Sequence, residues 1–427
     1  MKHFRFEWKK LTKQKMIWTS VLLSFLAAIS LYFFNYSIAE KIHENHIASV
    51  KNAKQYFETE LENEEIELKK SEERGEADKI EASEEKIEQY NNAILLRELS
   101  LKNYTKGNWQ NYFQEDIEYL EEVVSGNAGL AVEGQNVGTF TIRASKEETE
   151  WLMEHKLEPV AHRTHFYFLH PTIYDKFTGK ALEAWNKLTK RYGETGLTYL
   201  YQMMPNYYLT IIILIGLFIF GNTISAESKG KKRGLHFFFV QPIPKMRLFV
   251  AKYVSGLLYL IAFILLIVAA PLVSSLFTKG IGSLQYPVLF YEGAIPNSFD
   301  PQYTKLSAEN DSFHFIPMGE YFLQAIGLAL VLAFFLYSLY LLISFFIKSP
   351  TVNLLIVAGL TFGGMMALSP SKYNPFTYVD IHRVLNGEIA ALSIDPSIHF
   401  QNGVILLLGL GFLLVVINLV FFRFKRI

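Results

Sequence analysis

Six long stretches without a charged side chain decide what this chain can fold into. A helix needs about 20 apolar residues, at ~1.5 Å each, to cross the hydrocarbon core of a bilayer. Backbone groups inside lipid must be hydrogen-bonded internally, so each stretch is predicted to be a transmembrane helix. The predicted fold class is an α-helical polytopic membrane protein with six transmembrane helices. They cover Ile17–Ile38, Tyr207–Ala226, Tyr253–Phe277, Tyr321–Ile347, Ser349–Ser369 and Phe400–Phe422.

Basic residues near the ends of the spans predict the orientation, because cytoplasmic loops are enriched in Lys and Arg. Six basic residues precede the first span, six lie within residues 229–247, and three follow the sixth span. All of these fall on one side if six spans alternate. Both termini are therefore predicted to be cytoplasmic, in a multi-pass protein of a cell membrane.

This orientation divides the chain into four predicted parts. Residues 1–15 form a cytoplasmic interfacial helix, and residues 16–38 form the first transmembrane helix. Residues 39–203 form a mainly helical extracellular domain with minor β structure. Residues 204–427 hold transmembrane helices 2 to 6, with a cytoplasmic loop at 227–247.

The first fifteen residues have the pattern of a helix that lies in the membrane interface. Phe4, Trp8 and Leu11 share one helical face, and lysines surround them. Aromatic and apolar residues on one face with basic residues on the other are typical of interfacial helices. The alternative is an unstructured, positively charged segment before the first span.

The predicted extracellular domain is acidic and rich in helix formers. Residues 40–200 carry 31 acidic and 20 basic residues, an excess of 11 negative charges. Isoleucines at seven-residue intervals predict two long helices that reverse near Gly75. The other elements predicted are a short helix at Asp116–Val124, a strand at Val137–Arg143, a helix capped by Ser145 and Glu148, and a final helix that carries Trp185 and Leu188.

The negative charge of the predicted extracellular domain suggests a class of ligand. The acidic hairpin would attract cationic amphipathic molecules by long-range electrostatics. The alternative is that its acidity only keeps a long helical pair soluble. The whole chain has 41 basic and 41 acidic residues, which gives no support for nucleic-acid binding, and it has no cysteine, which excludes disulfides and thiolate metal sites.

A group of histidines raises the question of an enzyme or a metal site. His162 and His165 form an H-x-x-H pattern between His155 and His170. The spacing fits neither H-E-x-x-H nor another strong ligand pattern. No nucleophile motif is present either. The sequence therefore predicts no catalytic residue, no metal and no cofactor bound by this chain, and a protein that is not itself an enzyme.

The cytoplasmic segment from Ala226 to Tyr253 carries the most information about function. Glu227 precedes a basic run, and Leu235–Val240 is an apolar stretch too short to cross the membrane. The two prolines of Pro242-Ile243-Pro244 then enforce a turn. Lys245, Arg247 and Lys252 are predicted to anchor the next span at the lipid headgroups. Such an apolar stretch needs a protein groove or the membrane interface. An interfacial re-entry without a partner is the alternative.

Two motifs resemble one family. Glu227, the Gly-x-x-x-Gly at Gly230 and Gly234, and Gln-Pro-Ile-Pro from Gln241 are similar to the loop between the second and third spans of ABC-2-type transporter permeases. Asn374-Pro375-Phe376 followed by Leu385-Asn386-Gly387 resembles a second segment of these permeases. The family includes bacterial drug, antimicrobial-peptide and bacteriocin exporters and immunity proteins. The enlarged first outer insert departs from the family pattern, since many members have a short loop there.

The resemblance implies a coupling helix that docks in a cleft of a separate ABC ATPase. Because the chain has no P-loop, ATP and Mg would bind to that ATPase, expected in two copies. A second copy of this chain or a related permease would complete the pathway, in contact with membrane lipid. The coupling residues implied are Glu227, Gly230, Arg233, Gly234, Leu235, Phe237, Phe238, Phe239, Gln241, Pro242 and Pro244.

Polar residues within the spans are candidates for a central pathway. Buried polar groups in membranes usually face protein or water. Helix–helix hydrogen bonding is the alternative for each of them. The candidates are Asn222, Gln324, Tyr337, Tyr340 and Asn353.

The function expected is a permease subunit that moves an amphipathic compound or peptide, in the direction of export. Two other classes of protein stay open. One is a non-transporting receptor or scaffold whose extracellular domain binds a partner. The other is a membrane enzyme, although the spans contain no recognisable acid, base or metal constellation.

Overall fold

The computed structural model describes residues 2–126, 129–162, 169–223, 244–292, 313–347 and 349–424. The chain forms two compact units. The membrane unit consists of Met1–Phe34 and Thr195–Ile427, and the insert unit is Asn35–Glu194.

Helices make up most of both units. In chain order they are α1 Lys2–Thr12, α2 Lys15–Arg74, α3 Ala77–Lys106, α4 Trp109–Val124, α5 Thr139–Glu154, α6 Gly179–Leu188, α7 Gly196–Met203, α8 Tyr208–Phe220, α9 Lys245–Ser275, α10 Met318–Phe346, α11 Pro350–Ala367, α12 Ile381–Leu385, α13 Glu388–Ser393 and α14 Phe400–Phe424. The strands are β1 Ala131–Val132, β2 Gln135–Asn136, β3 Ala161–His162, β4 Arg191–Tyr192, β5 Pro287–Tyr291 and β6 Phe313–Pro317.

Five helices of the described chain are long and apolar enough to cross a membrane: α2, α9, α10, α11 and α14. A sixth span arises if Gly196–Asn206 and Tyr208–Phe220 count as one, since they meet at an angle of 79°. The bend lies at Tyr207, which has the left-handed φ of 55°. The prediction of a helical polytopic membrane protein is confirmed, and the second predicted span, Tyr207–Ala226, begins at this bend.

Helix α10 lies among most of the other helices of the membrane unit and contacts α8, α9, α11 and α14. Close approach at these contacts depends on glycines that face aromatic rings. A Cβ at Gly256 would overlap Tyr337, and one at Gly411 would overlap Phe334. Helix–helix interfaces in membranes are enriched in small residues for this reason.

The three glycines of α11, Gly359, Gly363 and Gly364, contribute unequally to packing. Gly364 packs directly against the ring of Phe376, so a side chain there would clash. A Cβ at Gly359 or Gly363 would meet nothing within 4 Å. Within the described residues, one of the three glycines thus serves packing inside the chain.

The loops between later spans contain a strand pair that the sequence did not indicate. β5 and β6 pair antiparallel, with Leu289 opposite Phe315. The Tyr291 backbone N–H donates to the Asn386 carbonyl over 2.8 Å. The next residue, Gly387, has φ +75° and its Cα lies against the Tyr291 carbonyl, where a side chain would not fit. This contact explains why glycine stands in the Leu385-Asn386-Gly387 motif.

The insert unit contains the predicted helical hairpin. α2 reaches Arg74 and α3 begins at Ala77, and Gly75 between them has φ +68°. Side chains connect the two helices along their length: Phe57 contacts Tyr90, with ring centroids 6.4 Å apart, and Ser83 donates to Glu64 over 2.8 Å. Reversal near Gly75 is therefore confirmed.

Two predictions for the next segment are wrong. Residues 139–143 of the predicted strand lie in helix α5, and Ser145 and Glu148 lie in the middle of that helix instead of capping its start. The alternation of apolar residues was misleading because the buried side chains Thr141, Ser145, Glu148, Thr149 and Leu152 recur with helical period. Several of these buried residues are polar and are paired inside the fold.

Glu148 is the centre of a buried polar network in the insert unit. Its carboxylate accepts two hydrogen bonds from the Arg191 guanidinium, at 2.8 and 2.9 Å, and pairs with His170 Nδ1 at 2.8 Å. Burial raises the pKa of this carboxyl, but the charges and hydrogen bonds of Arg191 and His170 outweigh burial and lower the pKa to about 2. The ion pair joins α5 to β4.

We predict that Glu148→Gln destabilises the insert unit by about 3–5 kcal/mol, because it leaves the Arg191 charge without its carboxylate. In the wild type, the Glu148 contribution is complete above its ordinary pKa of 4.5 and is lost as the pH falls towards about 2. Hydrogen exchange of α5 peptides in the full chain measures the effect. The matched control is Glu147→Gln, since burial raises the pKa of Glu147 and neutralisation there costs little. Equal protection in both variants would contradict the prediction.

Candidate functional site

Helix α1 packs on helix α9 through a single stripe of side chains. Phe4, Glu7, Trp8 and Leu11 follow each other at helical spacing, and Glu7 and Leu11 are buried. The Trp8 ring stacks on the Tyr259 ring, with centroids 4.3 Å apart. The Tyr259 hydroxyl donates to the Trp8 carbonyl over 3.3 Å. The three residues predicted for an interfacial helix thus lie on one face, and that face contacts protein.

A buried ion pair lies within this stripe. Lys252 Nζ donates to Glu7 Oε1 over 2.9 Å, and the two side chains are 0% and 5% exposed. The sequence had indicated that Lys252 anchors α9 at the lipid headgroups, and this is wrong because its side chain is fully buried. The available signal was Glu7, the single acidic residue among the first fifteen.

Helix α9 begins where the predicted coupling segment ends. Pro244 is its N-cap residue and Lys245 its first residue, so Lys252 lies about two turns into the helix. The coupling residues from Glu227 to Pro242 lie outside the described residues. A cavity of about 310 Å³ opens beside Pro244, between the start of α9 and the end of α14. Lys245 Nζ donates to the Arg423 carbonyl there, over 3.4 Å.

The polar residues predicted for a pathway fall into separate places. The Tyr340 hydroxyl donates to Asn222 Oδ1 over 2.6 Å and to the Pro350 carbonyl over 3.3 Å. Asn353 is fully buried one turn after Pro350. These residues connect the 3-10 turn after α8 with α10 and α11.

Tyr337 and Gln324 do not belong to that polar group. Tyr337 is fully buried against Gly256 and the Tyr253 ring, whose centroid lies 5.3 Å away. Gln324 lies near the start of α10 and donates to Glu320 over 3.2 Å.

A second polar contact within the spans was not predicted from the sequence. Asn418 is fully buried on α14, and its Nδ2 donates to the Ser338 carbonyl over 2.8 Å. The Ser338 hydroxyl in turn hydrogen-bonds the Tyr253 hydroxyl at 2.7 Å. An asparagine within an otherwise apolar span was the signal, as it was for Asn222 and Asn353.

The loop between α11 and α14 holds the second family-like motif. The Asn374 side chain accepts from the Phe376 N–H over 3.0 Å and caps a 3-10 helix that starts at Pro375. Asp380 caps α12 by accepting from the Arg383 N–H over 3.1 Å. Burial raises the pKa of Asp380. Together with Tyr207, Asp380 and Arg383 line a cavity of about 180 Å³ beside the bend.

Among the histidines that suggested a metal site, His155 and His170 have described side chains, and these have different surroundings. His155 is exposed at the end of α5, and His170 pairs with Glu148. His165 and the side chain of His162 lie outside the described part. The described residues therefore give the H-x-x-H pattern no geometry of a site.

We predict that breaking the α1–α9 ion pair weakens the attachment of α1. Glu7→Gln and Lys252→Met, made singly, should each cost about 3–5 kcal/mol because a buried partner stays behind unpaired. The double variant Glu7→Leu/Lys252→Met should recover most of this loss. Hydrogen exchange of α1 peptides measures the change.

The control for this prediction is Lys9→Gln, on the exposed side of the same helix. It should leave α1 as protected as in the wild type. Protection that is equal in the single and double variants, or loss in the control, would contradict a role for the pair.

Comparison with known proteins agrees with the membrane architecture. The sequence model described as ABC-2 family transporter protein matches residues 15–421, nearly the whole chain. Searches of curated proteins and of solved structures give no significant match. The matched region includes the predicted spans and the insert, and of the buried ion pair it includes Lys252. The chain belongs to the ABC-2 family and is a membrane component of an ABC transporter.

Proposed function

We propose that this chain is the permease subunit of an exporter driven by a separate ABC ATPase, and that α9 carries the motion of the ATPase into the membrane. The observation that supports this most directly is that the coupling segment, α9 and α1 are connected to one another. The predicted coupling segment leads into α9, and two turns later Lys252 holds α1 by a buried ion pair. A displacement delivered at Pro244 therefore acts on both helices together.

The proposal includes the partners that the family implies. Two ATPase subunits bind ATP and Mg, and two permease chains, identical or related, enclose the pathway. Both termini and the coupling segment face the cytoplasm, and the insert unit faces outwards. The positive charge around the predicted coupling segment, with Lys245 and Arg423 close to each other, supports this orientation.

The substrate proposed is an amphipathic compound or a cationic amphipathic peptide. Two observations support it. The α2–α3 hairpin carries a large acidic excess, so it attracts cations. The spans bury the polar side chains of Tyr340 and Asn353, with Asn222 half-buried beside them, and these groups suit a polar portion of the substrate.

The first test addresses coupling. Replacing Phe237 and Phe238 with glutamate should release the ATPase or uncouple ATP hydrolysis from transport, because charged residues disfavour a docked apolar surface. The chain should be purified together with any ABC ATPase that the adjacent genes encode, reconstituted in vesicles, and assayed for ATP hydrolysis and peptide transport.

The matched control replaces Lys231 and Lys232 of the same loop with glutamine. This change alters polar residues and leaves the apolar stretch intact, so assembly should persist. If the glutamate variant assembles and transports normally, the coupling assignment is wrong.

A second test addresses the pathway. Tyr340→Phe removes the hydroxyl that donates to Asn222 while it preserves the ring, so folding should be retained. Transport by the reconstituted complex should fall several-fold, whereas the exposed Tyr373→Phe should leave it unchanged. A transport rate equal to that of the control would assign Tyr340 to helix–helix packing alone.

The alternative function is a non-transporting receptor or scaffold, with the insert unit as its binding part. Copurification separates the two hypotheses, because a receptor has no need of an ATPase. A complex with the neighbouring ATPase that hydrolyses ATP faster in the presence of a cationic peptide supports transport.

A further inference from the structure

One cluster of metal-ligating side chains lies in the insert unit and is used by none of the functions above. Within the described ranges, His43, Glu158 and Glu194 form one group whose ligand atoms all lie within 4.8 Å of one another. His43 is on α2, Glu158 follows α5, and Glu194 follows β4. Three separate chain segments of the insert unit thus bring one imidazole and two carboxylates together.

The imidazole of His43 is held on both sides. Its Nδ1 forms a hydrogen bond with the Tyr104 hydroxyl of α3, and its Nε2 pairs with Glu194 Oε1. The side chains of His43 and Glu194 are 17% and 7% exposed. A histidine that binds a metal through one nitrogen typically hydrogen-bonds through the other, which fixes its tautomer and orientation. Tyr104 occupies that supporting position.

Other aromatic side chains pack against Tyr104 and fix its position. Its ring contacts His46 and Tyr112, with centroids 4.5 and 5.3 Å away. These rings hold the Tyr104 hydroxyl in hydrogen-bonding distance of His43.

The donor set indicates the chemical class of ligand. Two carboxylates so close together repel each other, and a divalent cation between them removes this repulsion. An imidazole nitrogen favours transition metals such as Zn²⁺ over Mg²⁺ or Ca²⁺, which prefer oxygen ligands alone. The absence of cysteine from the chain leaves nitrogen and oxygen as the ligands.

We propose that His43, Glu158 and Glu194 bind one divalent transition-metal ion, with Zn²⁺ as the best match. His43 Nε2 and one oxygen from each carboxylate are the protein ligands, and water completes the coordination. The metal takes the Nε2 lone pair in place of the hydrogen bond to Glu194, and the single ring proton of the neutral imidazole is then carried by Nδ1, which donates it to the Tyr104 oxygen. The ion links α2 to the segments that follow α5 and β4, so it stabilises the insert unit.

The test uses the full chain, purified in detergent through a tag without histidine and freed of metal by a chelator. Titration with Zn²⁺ in a calorimeter should give one saturable site per chain, and Mg²⁺ should not compete. Co²⁺ should give visible d–d absorption that Zn²⁺ abolishes. Zn²⁺ should also raise the melting temperature of the wild type, because a ligand that binds the folded state stabilises it.

Variants locate the site. Glu158→Gln retains the pair between His43 and Glu194, so it keeps the fold while it removes a ligand, and it should abolish the Co²⁺ spectrum. Tyr104→Phe should weaken Zn²⁺ binding by about 10-fold or more, as expected for a supporting residue. His155→Ala, an exposed histidine of the same unit, is the matched control and should bind as the wild type does.

Two results would overturn the proposal. One is a wild-type chain without saturable Zn²⁺ binding, which would reduce the cluster to an ion pair between His43 and Glu194. The other is binding that persists unchanged in Glu158→Gln and in His43→Ala, which would place the ion elsewhere. Neither result depends on transport activity.

Discussion

Lipid offers the backbone no hydrogen-bond partner, and the architecture of the membrane unit follows from this constraint. The spans of the described chain are helices, and the backbone at the bend in one of them is covered by other segments. This bend lies before α8. Tyr207, in the left-handed region, lies against Phe362 with ring centroids 5.7 Å apart and beside the cavity that Asp380 lines. A break in a helix is thus tolerated where neighbouring segments of the same unit surround it.

A surrounding of low dielectric constant also constrains the buried charges, both in the membrane unit and in the interior of the insert unit. Lys252 is placed in an apolar helix only because Glu7 reaches it from α1, and in the insert unit Arg191 is paired with Glu148. Such pairs contribute little net stability compared with apolar residues of the same size, but losing one partner is costly. Their effect is to fix which elements lie together. For α1, the pair makes its position depend on α9.

The sequence predicted the membrane class, the hairpin around Gly75 and the apolar face of α1, because each rests on a periodicity or composition that local physics enforces. Prediction from the sequence failed where contacts between residues far apart in the chain determine the structure. Thr141, Ser145 and Glu148 look like surface residues. Their burial is explained by partners far along the chain: Asp175 accepts from Thr141, the His170 N–H donates to Ser145, and Arg191 pairs with Glu148. The strand pair at β5 and β6 was missed for the same reason. Lys252 was assigned to the headgroups because lysine near the end of a span usually lies there.

The glycines that face aromatic rings have a consequence for evolution. At Gly256 and Gly411, the space for a side chain is already taken by Tyr337 and Phe334. A larger residue at either position becomes acceptable only if the facing ring shrinks at the same time. Homologous chains that keep this packing should therefore change these positions in pairs, and such covariation would be visible in an alignment without any structure.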